Sequence, residues 1–364
     1  MNITPKENIL KVKPYIPGKP IEEVKRELGL KSVIKLASNE NPYGPSPRVL
    51  RALTQASRSV NRYPDGACFY LRKELAARLK VNENQLIFGN GSDEIIVLAV
   101  RAYVGQGDEV IVAKPSFLIY EIASLIEGAR VRAIDLKDFR YDLEGMKRAV
   151  TSKTKIIFIG NPDNPAGTYI SKDAFKDFLR EIRRDILVFI DEAYFEYVHT
   201  KDYPNGIEFL KSHKNVIVTR TFSKMYGLAG LRIGYGVGDA QIMDALNRLR
   251  EPFNVNSLAQ AAAIACLKDK KYYQAIARSV EQERAFLYES FRDLGIHFEE
   301  SFTNFVLLKV KQDSSMVAQA LLKKGVIIRD MNAWGLKNYI RITIGSNKEN
   351  RLLIRALKAV LSEV

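Results

Sequence analysis

The residue with the clearest chemical potential is Lys224, which follows the apolar run NVIVT and has Thr221 and Ser223 just before it. Arg232 comes shortly afterwards, in GLAGLRIGY. A lysine amine attacks a carbonyl only when it is deprotonated, which a buried or cation-rich site favours. Hydroxyl groups and a planar guanidinium are donors that suit a phosphate. This segment therefore predicts a nucleophilic amine beside an anion-binding group.

Three further polar side chains follow other apolar runs. Asn164 comes after KIIFIG, and Asp191 and Tyr194 come after ILVFI. A carboxylate at the end of a buried strand is costly without a partner, and a pyridinium nitrogen would be a natural one. Asn164 and Tyr194 could hydrogen-bond an oxygen of the same ring. Asp191 alone could equally be an ordinary cap of the next segment, so these residues indicate a ring-binding site only when they are taken together.

A glycine loop, GNGS, follows the run QLIF and precedes an amphipathic stretch. The N–H groups and the positive end of a helix starting there can hold a phosphate, although a plain strand–helix turn explains the loop equally well. Phe117 could stack on a ring, but a lone Phe more commonly packs in a core. Together, these groups meet the needs of pyridoxal 5'-phosphate (PLP), a phosphorylated pyridine aldehyde whose protonated ring is an electron sink.

The elements that position these residues are short apolar runs rich in Ile and Val, alternating with amphipathic helical stretches. Such runs are typical of strands buried on both faces of a sheet. The alternation predicts an α/β fold with a mostly parallel sheet between helices. Ligands of such sheets bind beyond the carboxyl ends of the strands, so the polar groups above should gather along one edge.

The composition along the chain predicts a large domain and a smaller one. We expect residues 46–254 to form the large domain and residues 255–364 a smaller α+β domain, with residues 1–45 as an arm joining the small domain. In the carboxyl part, SFTNFVLLKV, GVIIRD and YIRITIG are typical of strands beside helices at 313–324 and 347–361. Residues 254–294 are expected to be one long helical stretch leading from one domain to the other.

Charge and composition argue against several other classes of protein. The chain has 364 residues, 27% charged, and a net charge of +14, but its basic residues are mixed with acidic ones along the whole chain. We expect no nucleic-acid binding, no membrane span and a cytoplasmic location, since the amino terminus is polar. Cys68 and Cys266 are isolated, and the three histidines are scattered, so no metal site is expected.

The sequence resembles the fold-type I PLP-dependent aminotransferases, and within them the histidinol-phosphate aminotransferase family, nearly end to end. The segments that carry the resemblance are KPYIPGKP, LASNENPYGPSP, NRYPDG, GNGSDE, NPDNPAGT, DEAYFEY, RTFSKMYGLAGLRIGY, GVIIRD and YIRITIG. As a set they are specific for the aminotransferase class and less specific for the substrate. The resemblance implies interconversion of histidinol phosphate and 2-oxoglutarate with imidazole acetol phosphate and glutamate, in histidine biosynthesis.

The resemblance also implies roles for individual residues around the cofactor. Lys224 would be the Schiff-base lysine and would move a proton between the substrate carbon and the cofactor C4' atom. Asp191 would hold the pyridine nitrogen, Asn164 and Tyr194 the ring oxygen, and Phe117 would stack on the ring. The residues expected at the cofactor phosphate are Gly91, Ser92, Asp93, Thr221, Ser223 and Arg232.

Further roles concern the substrate and a second subunit. Arg341 would grip the anionic end of the substrate, assisted by Arg329 and Tyr15, and Asn39 would shape the pocket. Tyr63 would reach the cofactor phosphate of the other subunit, so the resemblance implies a homodimer acting on small amino and keto substrates. The chain has Asp163 and Ala166, in NPDNPAG, where the family commonly shows Asn and Thr, and Phe117 where it often has Tyr.

Two alternatives stay open on the sequence alone. The same fold would also suit an aromatic or aspartate aminotransferase, or a decarboxylase acting on threonine phosphate. Arg329 and Tyr15 suit a phosphate and therefore favour the first assignment over an aromatic or aspartate aminotransferase. The decarboxylase must orient its carboxylate differently, and the sequence does not settle that point. A transcription regulator with an aminotransferase-like sensor is a third class, but such regulators carry an added DNA-binding domain. Because the aminotransferase pattern begins here by residue 15, we do not expect that function.

Overall fold

The computed structural model describes residues 3–14 and 18–363. The strands are β1 (Ile34–Lys35), β2 (Leu86–Gly89), β3 (Glu109–Lys114), β4 (Arg130–Asp135), β5 (Thr154–Gly160), β6 (Leu187–Asp191), β7 (Val216–Thr221), β8 (Gly234–Gly238), β9 (His297–Phe298), β10 (Phe305–Lys309), β11 (Val326–Ile327), β12 (Arg329–Asp330) and β13 (Tyr339–Thr343). The helices are α1 (Ile21–Leu28), α2 (Pro47–Ala56), α3 (Phe69–Leu79), α4 (Ser92–Tyr103), α5 (Leu118–Ile126), α6 (Leu143–Arg148), α7 (Lys172–Glu181), α8 (Ala240–Leu249), α9 (Ser257–Leu267), α10 (Lys270–Asp293), α11 (Ser314–Lys323) and α12 (Asn347–Glu363).

The larger sheet has seven strands in the order β2-β8-β7-β6-β5-β3-β4. The pairs from β4 through β3, β5 and β6 to β7 are all parallel. Alternate residues of these strands join two separate apolar clusters, one with α4, α5 and α8 and one with α7. Every residue of β6 is buried, as expected for a strand covered on both faces. The prediction of a mostly parallel α/β sheet between helices is confirmed.

Strand β8 is the exception, since it pairs antiparallel with both β2 and β7. Its sequence, GYGVG, is rich in glycine rather than in β-branched residues. A Cβ atom on Gly234 would lie 2.5 Å from the backbone nitrogen of Ser92. The strand therefore needs glycine because its first residue lies against the start of α4, where the sequence predicts a phosphate site.

The carboxyl part contains a second, four-stranded sheet in the order β12-β13-β10-β9, and its pairs are antiparallel. Strand β1 pairs in parallel with β11, which links the first part of the chain to this region. The helical stretch expected at residues 254–294 consists of two helices, α9 and α10, because the chain leaves the helical conformation at Asp269, with φ −122° and ψ 49°. The domain limits at residues 45 and 254 stay predictions.

Within residues 3–14 and 18–363, no helix is both long and apolar enough to cross a bilayer. Among the same residues, the histidine, cysteine, aspartate and glutamate side chains form no group that could hold a metal ion.

Candidate active site

The carboxyl ends of the parallel strands and the loops after them surround one pocket. Most of the residues singled out in the sequence line it. They are Asn39, Ser92, Asp93, Phe117, Asn164, Asp191, Tyr194, Thr221, Ser223, Lys224, Arg232, Arg329 and Arg341. Because β5, β6 and β7 are neighbours in the sheet, their ends place Asn164, Asp191 and Lys224 around the same space. The pocket therefore combines an amine, a carboxylate and several cations.

The amine of Lys224 points into this pocket and donates a hydrogen bond to the backbone oxygen of Ser38, at 3.1 Å. Burial, together with the positive charge of Arg341, lowers the pKa of Lys224 to about 8. A lysine with such a pKa is deprotonated in a useful fraction near neutral pH and can then act as a nucleophile or a base. Lys224 thus has the property that the sequence analysis required of it.

Asp191 lies at the end of β6 and is buried. Its carboxylate accepts hydrogen bonds from the hydroxyl of Tyr120 at 2.8 Å, the amide of Ala193 at 3.1 Å and the hydroxyl of Thr219 at 3.5 Å. None of these donors is charged, and burial raises the pKa of Asp191 to about 6. A buried carboxylate in this situation is suited to a positively charged ring nitrogen, which would restore its ionised form.

The glycine loop and Arg232 form a concave site at the start of α4. Gly91 has φ +86°, and a Cβ atom there would lie 2.5 Å from the Arg232 guanidinium, so only glycine fits. One guanidinium nitrogen of Arg232 lies 3.5 Å from the hydroxyl of Ser223, and another lies 3.4 Å from the carboxylate of Asp93. Arginine, a hydroxyl and the N–H groups that begin a twelve-residue helix are donors that suit a phosphate.

Asn39 and Tyr194 join the first part of the chain to the large sheet. The Asn39 amide donates to the Tyr194 hydroxyl at 2.9 Å, and the backbone N–H of Asn39 donates to the hydroxyl of Thr343 at 2.9 Å. Asn39 has φ +55°, a conformation that asparagine tolerates better than most residues. These contacts hold the Tyr194 hydroxyl at the pocket wall.

Arg341 and Arg329 come from the small sheet and also line the pocket. Arg341 donates to the side-chain oxygen of Asn164 and, at 3.2 Å, to the backbone oxygen of Ala37. Both arginines are buried. Trp334 lies beside them, and its indole N–H donates to the backbone oxygen of Ser116 at 2.9 Å. These groups form a cationic and aromatic end of the pocket.

Of three further predicted residues, only Phe117 is seen to line the pocket. Phe117 lines the pocket and meets Tyr120 edge to face, with ring centres 5.6 Å apart. Tyr63 is 84% exposed and stacks on Phe253, and it is not among the residues that line the pocket of its own chain. Tyr15 lies outside the residues that the structure describes.

The sequence analysis missed Tyr120, Trp334 and Ser38, all of which line the pocket. Tyr120 lies in the apolar helix α5 and looks like a core residue in the sequence. Its position three residues after Phe117, which was expected at the pocket, could have indicated that Tyr120 lies there too. Trp334 is the single tryptophan of the chain and follows Arg329 closely. Ser38 contacts Lys224 through its backbone oxygen, and no sequence pattern indicates such a backbone contact.

Comparisons with known proteins agree with one another. A model of the family "Aminotransferase class I and II" matches residues 31–357. The histidinol-phosphate aminotransferase of Moorella thermoacetica is 46% identical over 98% of this chain and 93% of its own length. The crystal structure of the Sinorhizobium meliloti histidinol-phosphate aminotransferase, in complex with PLP, has a TM-score of 0.90 at 30% identity, covering 100% of this chain and 98% of that one. L-threonine-O-3-phosphate decarboxylase from Porphyromonas gingivalis has a TM-score of 0.81 at 25% identity, covering 91% and 100%.

Proposed function

Because the chain belongs to the class I and II aminotransferase family, we propose that it is a PLP-dependent aminotransferase that interconverts histidinol phosphate and 2-oxoglutarate with imidazole acetol phosphate and glutamate. This reaction belongs to histidine biosynthesis. The observation that carries the proposal is that Lys224, Asp191 and the two arginines of the small sheet line a single pocket. The similarity to relatives of that name extends over almost the whole chain.

The residues present fit PLP on two structural grounds. Asp191 is a buried carboxylate whose neutral donors leave its charge to be balanced by a ring nitrogen. Gly91 opens a hollow beside Arg232 and Ser223 that a methyl group would fill. We assign the ring nitrogen to Asp191, the ring oxygen to Asn164 and Tyr194, and one ring face to Phe117. The residues assigned to the phosphate are Gly91, Ser92, Asp93, Thr221, Ser223 and Arg232.

Lys224 is the proposed attachment point and the proposed acid–base group. When bound, PLP supplies an electron sink for the electrons left by the departing proton. Lys224 Nζ, with its lowered pKa, would take that proton from the substrate carbon and return it at the cofactor C4' atom. The hydrogen bond from Lys224 to the backbone oxygen of Ser38 holds the free amine at the pocket wall.

The arginines of the small sheet are the proposed anion site. Planar guanidinium groups bind phosphate and carboxylate with paired hydrogen bonds. Arg341, assisted by Arg329, would therefore accept both the phosphate of histidinol phosphate and a carboxylate of 2-oxoglutarate or glutamate. Asn39 shapes the wall between this site and Tyr194. Tyr15 is proposed as a further phosphate donor on the basis of the sequence alone.

The proposed assembly is a homodimer in which Tyr63 completes the phosphate site of the other subunit. Tyr63 is exposed and stacks on Phe253, which is also partly exposed. A tyrosine and a phenylalanine exposed together are typical of a surface that binds protein. The cytoplasmic location stays a prediction from the sequence.

A panel of amino donors tests the substrate assignment. The purified holoenzyme is given histidinol phosphate, phenylalanine or aspartate with 2-oxoglutarate, and glutamate formation is measured. We expect kcat/KM for histidinol phosphate to exceed the others by roughly 100-fold, because phenylalanine brings no anion to the paired arginines and the side-chain carboxylate of aspartate carries less negative charge than a phosphate. If another donor reacts equally well, or if threonine phosphate releases carbon dioxide at a comparable rate, the substrate assignment is wrong.

A further inference from the structure

The two arginines of the anion site form an unusual pair in the small sheet. Arg329 of β12 and Arg341 of β13 are direct partners in the antiparallel ladder. Their side chains therefore leave the same face of the sheet, close together. Both are buried, with exposed fractions of 9% and 5%, and arginine keeps its charge in proteins. Like charges directly opposite each other are destabilising, so the surroundings must compensate for their repulsion.

Trp334 is placed to provide that compensation. The central carbon of each guanidinium lies over the indole at 5.9 Å from the ring centre. The face of an indole is electron-rich and attracts cations, most strongly where water is excluded. Trp334 is only 6% exposed, so both contacts are made in a largely water-free environment. Arg341 has a second ring nearby, since it lies 5.1 Å from Phe305. Both arginines thus share one indole ring.

The indole is also fixed from the other side of the pocket. Its N–H donates to the backbone oxygen of Ser116, in the loop between β3 and α5. The next residue, Phe117, lines the pocket on the side of the large sheet. This hydrogen bond therefore joins the cationic end of the pocket to the loop proposed to contact the cofactor ring.

We propose that Trp334 is a positioning residue that holds Arg329 and Arg341 side by side as a preformed site for a phosphate or carboxylate. It acts by offering both guanidinium groups one indole ring and by anchoring that ring to Ser116 through a hydrogen bond. The inference rests on the proposed function in one respect, since it takes the anion bound there to be the end of the substrate. It adds a residue that acts on the substrate through the arginines.

The simplest competing explanation is that Trp334 only fills space. It packs with Ala166, Leu307 and Met331, and any large apolar residue would serve that purpose. The two explanations differ for Trp334→Leu and Trp334→Phe. Phenylalanine keeps an aromatic face and loses the hydrogen bond to Ser116, whereas leucine fills space without an aromatic face. If Trp334 only filled space, both substitutions would have similar effects.

The test measures binding of inorganic phosphate to PLP-saturated holoenzyme by calorimetry, together with kcat and KM for the amino donor. We expect Trp334→Leu to weaken phosphate binding about tenfold and Trp334→Phe about threefold, with kcat nearly unchanged and KM raised in parallel. Phe298→Leu is the matched control, since it removes a ring that lies 5.5 Å from Arg292 in the same region but does not line the pocket. As Trp334 is the single tryptophan, its fluorescence should also change when phosphate binds the unsubstituted holoenzyme.

Three results would overturn the inference: equal losses for Trp334→Leu and Trp334→Phe, a fall in kcat at constant KM, or no phosphate binding by the unsubstituted holoenzyme. Failure of the proposed function gives a different result. If histidinol phosphate is not converted but phosphate binding depends on Trp334 as described, the substrate is misassigned while the role of Trp334 stands. If histidinol phosphate is converted and phosphate binding ignores Trp334, only the role of Trp334 is wrong.

Discussion

At the scale of single residues, the state of the Lys224 amine is governed by its surroundings. Burial and the Arg341 cation both favour the neutral amine, while the carboxylates of Asp93 and Glu40 favour the charged form. The balance leaves the pKa of Lys224 at about 8. The same arginine that is proposed to bind the substrate therefore also prepares the amine for attack.

This coupling predicts a pH effect for Arg341→Gln. The apoenzyme should capture PLP with a midpoint near the pKa of Lys224, about 8, because only the neutral amine attacks the aldehyde. Removing the Arg341 cation makes the protonated amine easier to form, so the midpoint should move to higher pH. Capture is followed by absorbance across a pH series, with Arg248→Gln, an exposed change of equal charge on α8, as control. A midpoint that stays or falls in Arg341→Gln contradicts the coupling.

Tyr120 predicts a change in cofactor affinity. Its hydroxyl donates to Asp191 at 2.8 Å and stabilises the ionised carboxylate, so Tyr120→Phe should raise the pKa of Asp191 further. A hydrogen bond to a charged group contributes about 1.5–3 kcal/mol, and we expect the dissociation constant of PLP to rise roughly tenfold or more. Equilibrium titration of the apoenzyme measures it. Tyr103→Phe, at the far end of α4, is the control, and equal affinities in the two variants would refute the role.

Asp163 predicts an effect of pH on stability. Its side chain is buried beside Asn164, Tyr141 donates to it at 3.3 Å, and burial raises its pKa from 3.8 to about 7. The folded state thus binds this proton more tightly than the unfolded state does, and stability falls as the pH rises from about 4 to 7. Asparagine carries no charge, so Asp163→Asn should stabilise the protein by about 1–3 kcal/mol near pH 8 and by little near pH 4.

Urea unfolding at both pH values measures this gain in the free energy of unfolding. Asp177→Asn, an exposed change on α7, is the control for the general effect of removing a carboxylate. If Asp163→Asn is neutral or destabilising near pH 8, burial does not hold a proton on Asp163. If the gain is the same at both pH values, it has a cause other than titration.

At the scale of elements, the strands that the sequence predicts are those whose apolar composition indicates that they are buried. Strands β3, β5, β6 and β7 are runs of Ile and Val and were all recognisable. Strand β8 was not recognisable, because its first glycine, Gly234, is required by a neighbour distant in sequence, the backbone of Ser92. The break between α9 and α10 likewise has no proline or glycine to announce it. Local patterns predict local burial, whereas these two features depend on tertiary contacts.

The start of α4 predicts a specific loss of cofactor. In Gly91→Ala the new Cβ atom would lie 2.5 Å from the Arg232 guanidinium, at a residue with φ +86°. Arg232 must then move away, and we expect PLP affinity to fall by roughly 100-fold or more, since a charged donor to the phosphate is lost. Gly230→Ala is a matched control, because a Cβ atom there meets nothing within 4 Å. Equal PLP affinity in both variants would remove Gly91 from the phosphate site.

At the scale of the whole molecule, much of the site was predictable, because strand ends of a parallel sheet gather at one edge. That rule predicts from the sequence alone that Asn164, Asp191 and Lys224 lie together. It has no counterpart for Trp334, whose hydrogen bond to Ser116 joins residues 218 apart in sequence. Such contacts depend on how the small sheet packs against the large one, which no local pattern encodes.

The proposed dimer predicts that two inactive variants complement each other. Lys224→Ala lacks the amine, and Tyr63→Ala lacks the phenol proposed to reach the other subunit. If the two proteins are unfolded together and refolded as a mixture, half of the dimers are mixed, and each mixed dimer has one complete site. The mixture should therefore recover about a quarter of the unsubstituted activity. No recovery, with mixed dimers shown to be present, would place Tyr63 in its own subunit's site or in none.

The central claim is that this enzyme removes the amino group of histidinol phosphate in a reaction that requires Lys224, and a single-turnover experiment tests this most directly. PLP-saturated enzyme is mixed with excess histidinol phosphate in the absence of 2-oxoglutarate, and the cofactor absorbance and the keto product are followed together. We expect one equivalent of imidazole acetol phosphate per active site from the unsubstituted enzyme and almost none from Lys224→Ala. Equal turnover by Lys224→Ala, or no keto product from the unsubstituted enzyme, would contradict the account.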